Sequence, residues 1–160
     1  MDLKDFKSIV AGSGITFKRV LRGSDRKVLW KASEPYVAVL NSVAWNFSTP
    51  NSFTHEYDYS ATASNVYLYV KKAEDIIEFG QGYYTATFST KGCNKVRIKA
   101  EVYNPIDAEC TINGTAITEN KYYYFDCSGD AYKITLGVNT LAVDWAGASV
   151  AITEIYFYDE

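Results

Sequence analysis

The stretch KVRIKAEVY, residues 95–103, decides the fold class, because apolar and polar side chains alternate along its whole length. Its apolar members all fall on one face: Val96, Ile98, Ala100 and Val102. Successive side chains of a strand point to opposite faces of the sheet, so this pattern predicts a half-buried antiparallel strand.

The segment just before it, Tyr83–Thr90, alternates in the same way, with Tyr84, Ala86 and Phe88 on one face. Lys91-Gly92 follows and has the composition of a turn. The sequence therefore predicts that these two neighbouring strands form a hairpin.

A second hairpin is predicted around Asn113-Gly114, between Glu109–Ile112 and Thr115–Thr118. Asn-Gly suits a two-residue turn in which both central residues have positive φ. Further strands, separated by Gly, Asn, Asp or Ser, are predicted at Val66–Val70, Lys121–Asp126, Tyr132–Leu136, Leu141–Val143 and Val150–Tyr158. Short strands at this spacing indicate an all-β sandwich or barrel.

The first thirty residues predict an appendage with a different pattern. Apolar residues recur at helical spacing over Leu3–Val10, after Asp2 as a candidate N-cap, which predicts a short N-terminal helix. Ile15–Leu21 and Lys27–Lys31 flank a polar loop that contains glycine, which predicts a hairpin.

Ser33-Glu34-Pro35 interrupts the pattern and places a boundary near residue 34. We therefore expect an N-terminal segment over 1–34 and a β-sandwich domain over 35–160. Within that domain, the polar segment Ser48–Ser60 reads as a loop, and Ala73–Phe79 as one helical turn.

Composition argues against several classes of partner. The chain has 160 residues, with 16 Lys+Arg against 19 Asp+Glu and a formal net charge of −3. That balance provides no basic field for a nucleic acid, so none is expected as a partner. No apolar run approaches the roughly 18 residues needed to cross a membrane, and the opening lacks the pattern of a secretory signal, so a soluble protein made in the cytosol is expected.

The three cysteines, Cys93, Cys110 and Cys127, form no C-x-x-C pair, and the chain has a single histidine. A structural zinc site is therefore not expected. We predict reduced thiols that pack as small apolar side chains.

No catalytic constellation emerges from the sequence. Acid–base or nucleophilic catalysis commonly uses a histidine beside a nucleophile, and His55 is the only histidine in the chain. On an extended segment, His55 and Glu56 would point to opposite sides. A pair of carboxylates for glycoside cleavage stays open, because residues distant in sequence can converge in space. We expect no enzyme activity and no cofactor or metal.

Aromatic content is the most informative feature of composition. The chain has 14 Tyr, 8 Phe and 3 Trp, and several tyrosines lie opposite the apolar face of their strand: Tyr67, Tyr69, Tyr83, Tyr103, Tyr156 and Tyr158. Exposed tyrosines suit a subunit interface, or a platform on which a sugar ring stacks while the phenol bonds a sugar oxygen. They can also simply favour strands and cover the sheet.

Two groups of candidate residues follow. The ligand-binding candidates combine the polar segment with exposed aromatic residues: His55, Tyr57, Tyr103 and Trp145. The interface candidates combine outward tyrosines with residues of the opening segment: Phe17, Val20, Trp30, Tyr67, Tyr69, Tyr156 and Tyr158.

The second half of the chain resembles the galactose-binding-like jelly rolls, which include many carbohydrate-binding modules. The resemblance rests on four pieces: the G-x-Y-x-x-x-F strand from Gly82, Val96–Ala100, Thr111–Gly114 and Ala151–Tyr158. It implies an antiparallel jelly-roll β-sandwich and, as one function, recognition of a host-surface glycan by a carbohydrate-binding module or receptor-binding domain.

The opening resembles minor virion proteins of tailed phages, which often begin with a hairpin of the form K-R-V, a short G-S loop, then V-L-W. Here these are Lys18–Val20, Gly23-Ser24 and Val28–Trp30. The resemblance implies a non-enzymatic structural or accessory protein of the virion. It would dock through residues 1–34 and contact other virion proteins or copies of itself.

Overall fold

A computed structural model describes residues 9–10, 16–17, 19–21, 28–31, 33–50, 55–72, 80–103, 108–140 and 147–160. Side-chain surroundings are described from Ser33 onward, Lys72 excepted. The described strands are β1 (Ile9–Val10), β2 (Thr16–Phe17), β3 (Arg19–Leu21), β4 (Val28–Lys31), β5 (Tyr36–Val37), β6 (Asn46–Ser48), β7 (His55–Ala61), β8 (Val66–Lys72), β9 (Gln81–Ser89), β10 (Lys95–Tyr103), β11 (Ala108–Ile112), β12 (Thr115–Ala116), β13 (Lys121–Asp126), β14 (Ala131–Thr140) and β15 (Ala148–Tyr158).

Two antiparallel sheets pack face to face, which confirms the all-β sandwich. One has six strands, in the order β13-β10-β15-β8-β7, with β5 also paired to β15. The other has five strands, in the order β12-β11-β14-β9-β6. The jelly-roll pattern of connections and the domain boundary near residue 34 stay predictions.

Alternation places the core between the sheets. Val96, Ile98 and Ala100 of β10 are fully buried, as are Val66, Leu68 and Val70 of β8. β9 and β14 supply the opposite layer, which includes the buried side chains of Phe88 and Leu136. Burying these apolar side chains is the main favourable contribution to folding, at about 1.5–3 kcal/mol for each large one.

The hairpin predicted between Tyr83–Thr90 and Lys95–Tyr103 is wrong. β9 pairs with β14 and β6, whereas β10 pairs with β13 and β15, so the two strands lie in different sheets. Alternation indicates which face of a strand is buried but not which strand lies beside it. A short turn can therefore lead the chain from one sheet to the other.

The Asn113-Gly114 hairpin is confirmed. Both residues have positive φ, 51° and 75°, as a two-residue turn between twisted strands requires. The Asn113 side chain adds two hydrogen bonds: its Oδ1 accepts from the backbone N–H of Thr135, and its Nδ2 donates to the phenol oxygen of Tyr132, both at 2.8 Å. This turn therefore anchors β11 to β14.

A bulge in β15 controls which side chains reach each face. Lys99 is opposite Glu154 and Ala100 is opposite Ile152, so Thr153 is the extra residue. The inserted residue reverses the alternation: Ser149 and Ala151 before the bulge, and Glu154, Tyr156 and Tyr158 after it, all lie on the outer face. Ile152, Ile155 and Phe157 stay fully buried.

Other predictions are corrected in part. The hairpin of the opening segment is confirmed in part: Arg19–Leu21 pairs antiparallel with β4, whereas Thr16–Phe17 pairs with β1. The N-terminal helix is not confirmed: Ile9–Val10 form a strand paired with β2, and the rest of Leu3–Val10 lies outside the described residues. The helical turn predicted at Ala73–Phe79 also lies outside them.

The loop predicted over Ser48–Ser60 is wrong, because His55–Ala61 form β7 and pair with β8. A tight turn joins these two strands, with the N–H of Thr62 donating to the carbonyl of Asn65 at 2.8 Å. β7 lies at the edge of its sheet, so its outward residues Glu56 and Asp58 are exposed. Their polarity made the segment look like a loop.

All three cysteines are free and buried, as predicted. Burial raises the pKa of Cys110 to about 12 and that of Cys127 to about 11, from an ordinary value of 9.0, because a thiolate is poorly solvated among apolar side chains. The pKa of Cys93 is also raised, with burial as the main cause.

We expect the native thiols to resist iodoacetamide at pH 8 and to react fully in denaturant, because the thiolate is the nucleophile. The raised pKa of Cys110 contributes stability below pH 9, the thiol's ordinary value, that is lost as pH rises toward 12. The free energy of unfolding should therefore fall less between pH 8 and 10.5 in Cys110→Ala than in the wild type. Rapid native alkylation, or equal falls in the two proteins, would contradict this account.

Candidate functional site

The 14 tyrosines of the chain are distributed unevenly. One group lies on the outer face of the six-stranded sheet, opposite the core, and we call this surface the tyrosine face. Register and alternation assign to it Tyr67 and Tyr69 of β8, Tyr103 of β10, Tyr122 and Tyr124 of β13, and Tyr156 and Tyr158 of β15. A single sheet face thus presents aromatic rings across four neighbouring strands.

A shallow trough runs along the first half of β15 on this face. Its floor is Ser149 and Ala151, whose side chains are short and partly exposed. Ser149 lies between Tyr103 of β10 and Tyr69 of β8, and Ala151 lies between Glu101 of β10 and Tyr67 of β8. Because β10 and β8 flank β15, the two walls are separated by two strand spacings, about 9.6 Å at roughly 4.8 Å each.

The walls of the trough differ in how firmly they are held. Tyr103 is 56% exposed. Tyr69 instead lies over the backbone of Gly147, where a β-carbon would fall 2.3 Å from its ring Cζ. Tyr67 donates a hydrogen bond to Oδ2 of Asp58 at 2.5 Å, and this bond raises the pKa of the phenol. The β8 wall is therefore fixed by its surroundings, and the β10 wall is free to adjust.

The other half of the face is built around Arg97. Its guanidinium carbon is 5.0 Å from the ring centroid of Tyr122 and 4.7 Å from that of Tyr156, within cation–π range. The rings of Tyr156 and Tyr158 stack, with centroids 5.6 Å apart and planes 7° from parallel. Glu154 completes the group through an ion pair with Arg97.

A cleft of about 200 Å³ lies beside this group, at the end of the sheet. Its lining combines aromatic and charged side chains: Lys95, Tyr124, Phe125, Asp126, Tyr158 and Glu160. Lys95 Nζ is 2.7 Å from Oδ1 of Asp126 and 3.5 Å from Oε2 of Glu160, and the bond to Asp126 raises the lysine pKa. Tyr124, at 65% exposure, leaves its ring open to solvent.

The structure separates the residues predicted to bind ligand. Tyr103 is on the tyrosine face. His55 and Tyr57 lie on the other side of β7, toward the sandwich interior, and Trp145 lies outside the described residues. The His55 ring packs against Gly80, and neither of its nitrogens has a hydrogen-bond partner among the described residues. The phenol of Tyr57 is buried near Phe47, and burial raises its pKa.

The predicted interface residues divide in a similar way. Tyr67, Tyr69, Tyr156 and Tyr158 share the tyrosine face with Tyr103. Phe17, Val20 and Trp30 fall in β2, β3 and β4, and their side chains lie outside the described part of the structure. Tyr83 lies on the outer face of the other sheet, against Gly137. Whether any of these residues binds a partner stays a prediction.

Several residues of the site were missed by sequence reasoning. Tyr122 and Tyr124 could have been found, because they alternate along KYYYFD (residues 121–126) just as the other outward tyrosines do. Ser149 and Ala151 carry no signal alone, since a small residue indicates a trough only when its neighbours across the sheet are large. Arg97 and Glu154 are 57 positions apart in sequence, so their ion pair depends on the pairing of two distant strands.

The tyrosine face exposes side chains of several chemical kinds. Within the described residues, no group of three His, Cys, Asp or Glu side chains is placed to hold a metal ion. Across the same ranges, no helix has the length and hydropathy to span a membrane. The face offers aromatic rings, phenol hydroxyls, a fixed guanidinium and carboxylate acceptors. These are the groups by which proteins bind polyhydroxylated or aromatic surfaces.

The fold and this surface define an antiparallel β-sandwich with an exposed, tyrosine-rich sheet face. No protein-family model and no curated protein matches the sequence. Among solved structures, a low-affinity xylan-binding module, CBM86, from the xylanolytic gut symbiont Roseburia intestinalis, is similar with a TM-score of 0.40. The two are 14% identical, and the match covers 78% of this chain and 95% of that chain. This is a partial structural likeness, and nothing about the site of this chain follows from it.

Proposed function

We propose that this protein is a non-catalytic glycan-binding β-sandwich that holds a polysaccharide chain along β15, on the tyrosine face. One observation carries the proposal: Ser149 and Ala151 form a floor of small side chains between a β10 wall of Tyr103 and Glu101 and a β8 wall of Tyr69 and Tyr67. A trough with largely aromatic walls and a small floor accepts a narrow, extended ligand.

The dimensions of the trough support a sugar chain. A sugar ring in van der Waals contact with an aromatic ring on each side needs about 7–8 Å between those rings, at roughly 3.5–4.0 Å per contact. The two strands that carry the walls, β8 and β10, are about 9.6 Å apart. Tyrosine suits this role because its ring packs on C–H groups while its hydroxyl bonds a sugar oxygen.

The chemistry at the end of the trough supports the same ligand. Arg97 and Glu154 place a fixed donor and a fixed acceptor beside the stacked rings of Tyr156 and Tyr158. Adjacent sugar hydroxyls need both kinds of partner, since each hydroxyl donates one hydrogen bond and accepts others. The trough and the Arg97 group would therefore contact successive units of one chain.

The test is affinity electrophoresis of the full chain through gels that contain a soluble β-glucan, a galactomannan, a xylan or polygalacturonate. We expect at least one polymer to retard the wild type. Ala151→Phe fills the trough and should abolish that retardation. Thr87→Phe adds the same ring to the exposed outer face of the other sheet and should behave as the wild type. Free migration in every gel, or retention by Ala151→Phe, would contradict the proposal.

A second candidate function is a contact with another protein, and one observation favours it. Val37 and Val39 are 58% and 53% exposed, and Val37 lies directly beside Tyr156. Tyrosine next to exposed apolar side chains is typical of protein interfaces. If no polymer retards the protein and light scattering gives a mass that rises with concentration, this candidate is favoured. Docking on a tailed-phage virion through residues 1–34 stays a prediction of the sequence alone.

A further inference from the structure

Arg97 is held in one orientation by three neighbours. Its Nε and Nη2 both lie 3.3 Å from Oε1 of Glu154, while the rings of Tyr122 and Tyr156 lie within 5.0 Å of its guanidinium carbon. The side chains of Arg97 and Glu154 are 38% and 27% exposed, so a ligand can reach both. A guanidinium has five N–H donors, so the contact with Glu154 leaves donors for a second acceptor.

Most of the cations around this pair already have ion-pair partners. Lys95 pairs with Asp126 and Glu160, and Lys71 pairs with Glu56 across the sheet. Of the described cations on the tyrosine face, Lys99 alone has no ion-pair partner among described residues. An acidic ligand would therefore find a single free cation here, Lys99, which is opposite Glu154 in the pairing of β10 with β15.

We propose that the tyrosine face selects neutral polysaccharides and that Glu154 is the residue that rejects acidic ones; this inference rests on the proposed glycan-binding function. Two adjacent sugar hydroxyls match the pair, one donating to Glu154 and the other accepting from Arg97. A uronic acid carboxylate at Arg97 would instead lie beside the Glu154 carboxylate. Like charges placed side by side in a partly desolvated site disfavour the wrong partner.

The discriminating variant is Glu154→Gln, which preserves the size of the side chain and removes its charge. We expect the wild type to bind the best-retained neutral polymer at least about ten-fold more tightly than polygalacturonate at low salt. In Glu154→Gln, affinity for polygalacturonate should rise by about five-fold, because a carboxylate no longer neutralises the charge of Arg97. Salt should weaken that gain. Affinity for the neutral polymer should change by less than about two-fold.

The matched control is Glu109→Gln, which makes the same change in net charge on the exposed outer face of the other sheet. Glu109 lies in β11, opposite Asn139 of β14, and so outside the tyrosine face. If both variants gain equally for polygalacturonate, or neither gains, the role of Glu154 is overturned. Thermal melts of both variants establish that the fold is kept.

The outcomes separate this inference from the proposed function. If the wild type binds polygalacturonate as tightly as any neutral polymer, the selectivity is wrong and glycan binding stands. If it binds none of the four polymers, the proposed function fails and the selectivity fails with it. A wild type restricted to neutral polymers, together with a selective gain in Glu154→Gln, supports both.

Discussion

Tyr103→Ala is expected to bind the retained polysaccharide at least about ten-fold more weakly than the wild type, because it removes one wall of the trough. Truncating an aromatic residue at the centre of a binding surface commonly costs about 2 kcal/mol or more, and 1.4 kcal/mol corresponds to ten-fold. Tyr103 lies outside the core at 56% exposure, so the fold should not change. Isothermal titration with the best polymer of the electrophoresis screen measures the effect.

Three companion variants sharpen this prediction. Tyr103→Phe keeps the ring and should retain most of the affinity if stacking dominates. Gly147→Ala keeps every tyrosine but displaces the Tyr69 ring that lies over Gly147, so it should weaken binding nearly as much as Tyr103→Ala. Tyr83→Ala removes a tyrosine from the other sheet and should have no effect. Unchanged affinity in Tyr103→Ala, or an equal loss in Tyr83→Ala, would place the site elsewhere.

Phe157→Ala is expected to lower the free energy of unfolding by about 3–5 kcal/mol, as is typical of deleting a buried aromatic ring. Phe157 is fully buried and joins both sheets. Its ring stacks on Tyr36, with centroids 5.3 Å apart, and contacts Phe88 at 6.5 Å and Tyr132 at 6.3 Å. Removing it leaves a cavity that rigid strands cannot collapse to fill. Urea denaturation monitored by tryptophan fluorescence measures the loss.

The adjacent residue provides the control for this variant. Tyr158 follows Phe157 in β15 but lies on the tyrosine face, so Tyr158→Ala should cost far less, within about 1 kcal/mol. Phe157→Leu retains much of the apolar volume and should fall between the two. Similar losses for Phe157→Ala and Tyr158→Ala would mean that the alternation of β15 is assigned wrongly, and the composition of the tyrosine face with it.

Local patterns predicted a large part of the architecture. The alternation in KVRIKAEVY (residues 95–103) indicated the buried face of β10, and the Asn113-Gly114 pair indicated the hairpin between β11 and β12. Both features depend on backbone geometry within a few residues. The reading of Tyr156 and Tyr158 as outward residues also agrees with the structure. These successes share a cause: the side chain and its immediate neighbours supply all the information that was needed.

Pairing between distant strands was beyond such reasoning. β9 and β10 are adjacent in sequence, yet they lie in different sheets. The polar segment that contains β7 was predicted as a loop, because an edge strand with exposed polar residues resembles one in composition. The hydrophobic pattern of a strand indicates which of its faces is buried. Which strand pairs with which depends on the arrangement of all the strands, and the pattern of a single segment does not indicate that arrangement.

Residue chemistry along single strands therefore determined the all-β class, the buried faces and the abundance of outward tyrosines. Tertiary structure alone decided that those tyrosines, except Tyr83, share one face. The Thr153 bulge reverses the alternation of β15, so that Ala151 and Tyr156 lie on the same side, and strand order places Tyr103 and Tyr69 on either side of Ser149. The trough is formed by strands that are far apart in the chain, and each of its residues alone looks like ordinary strand surface.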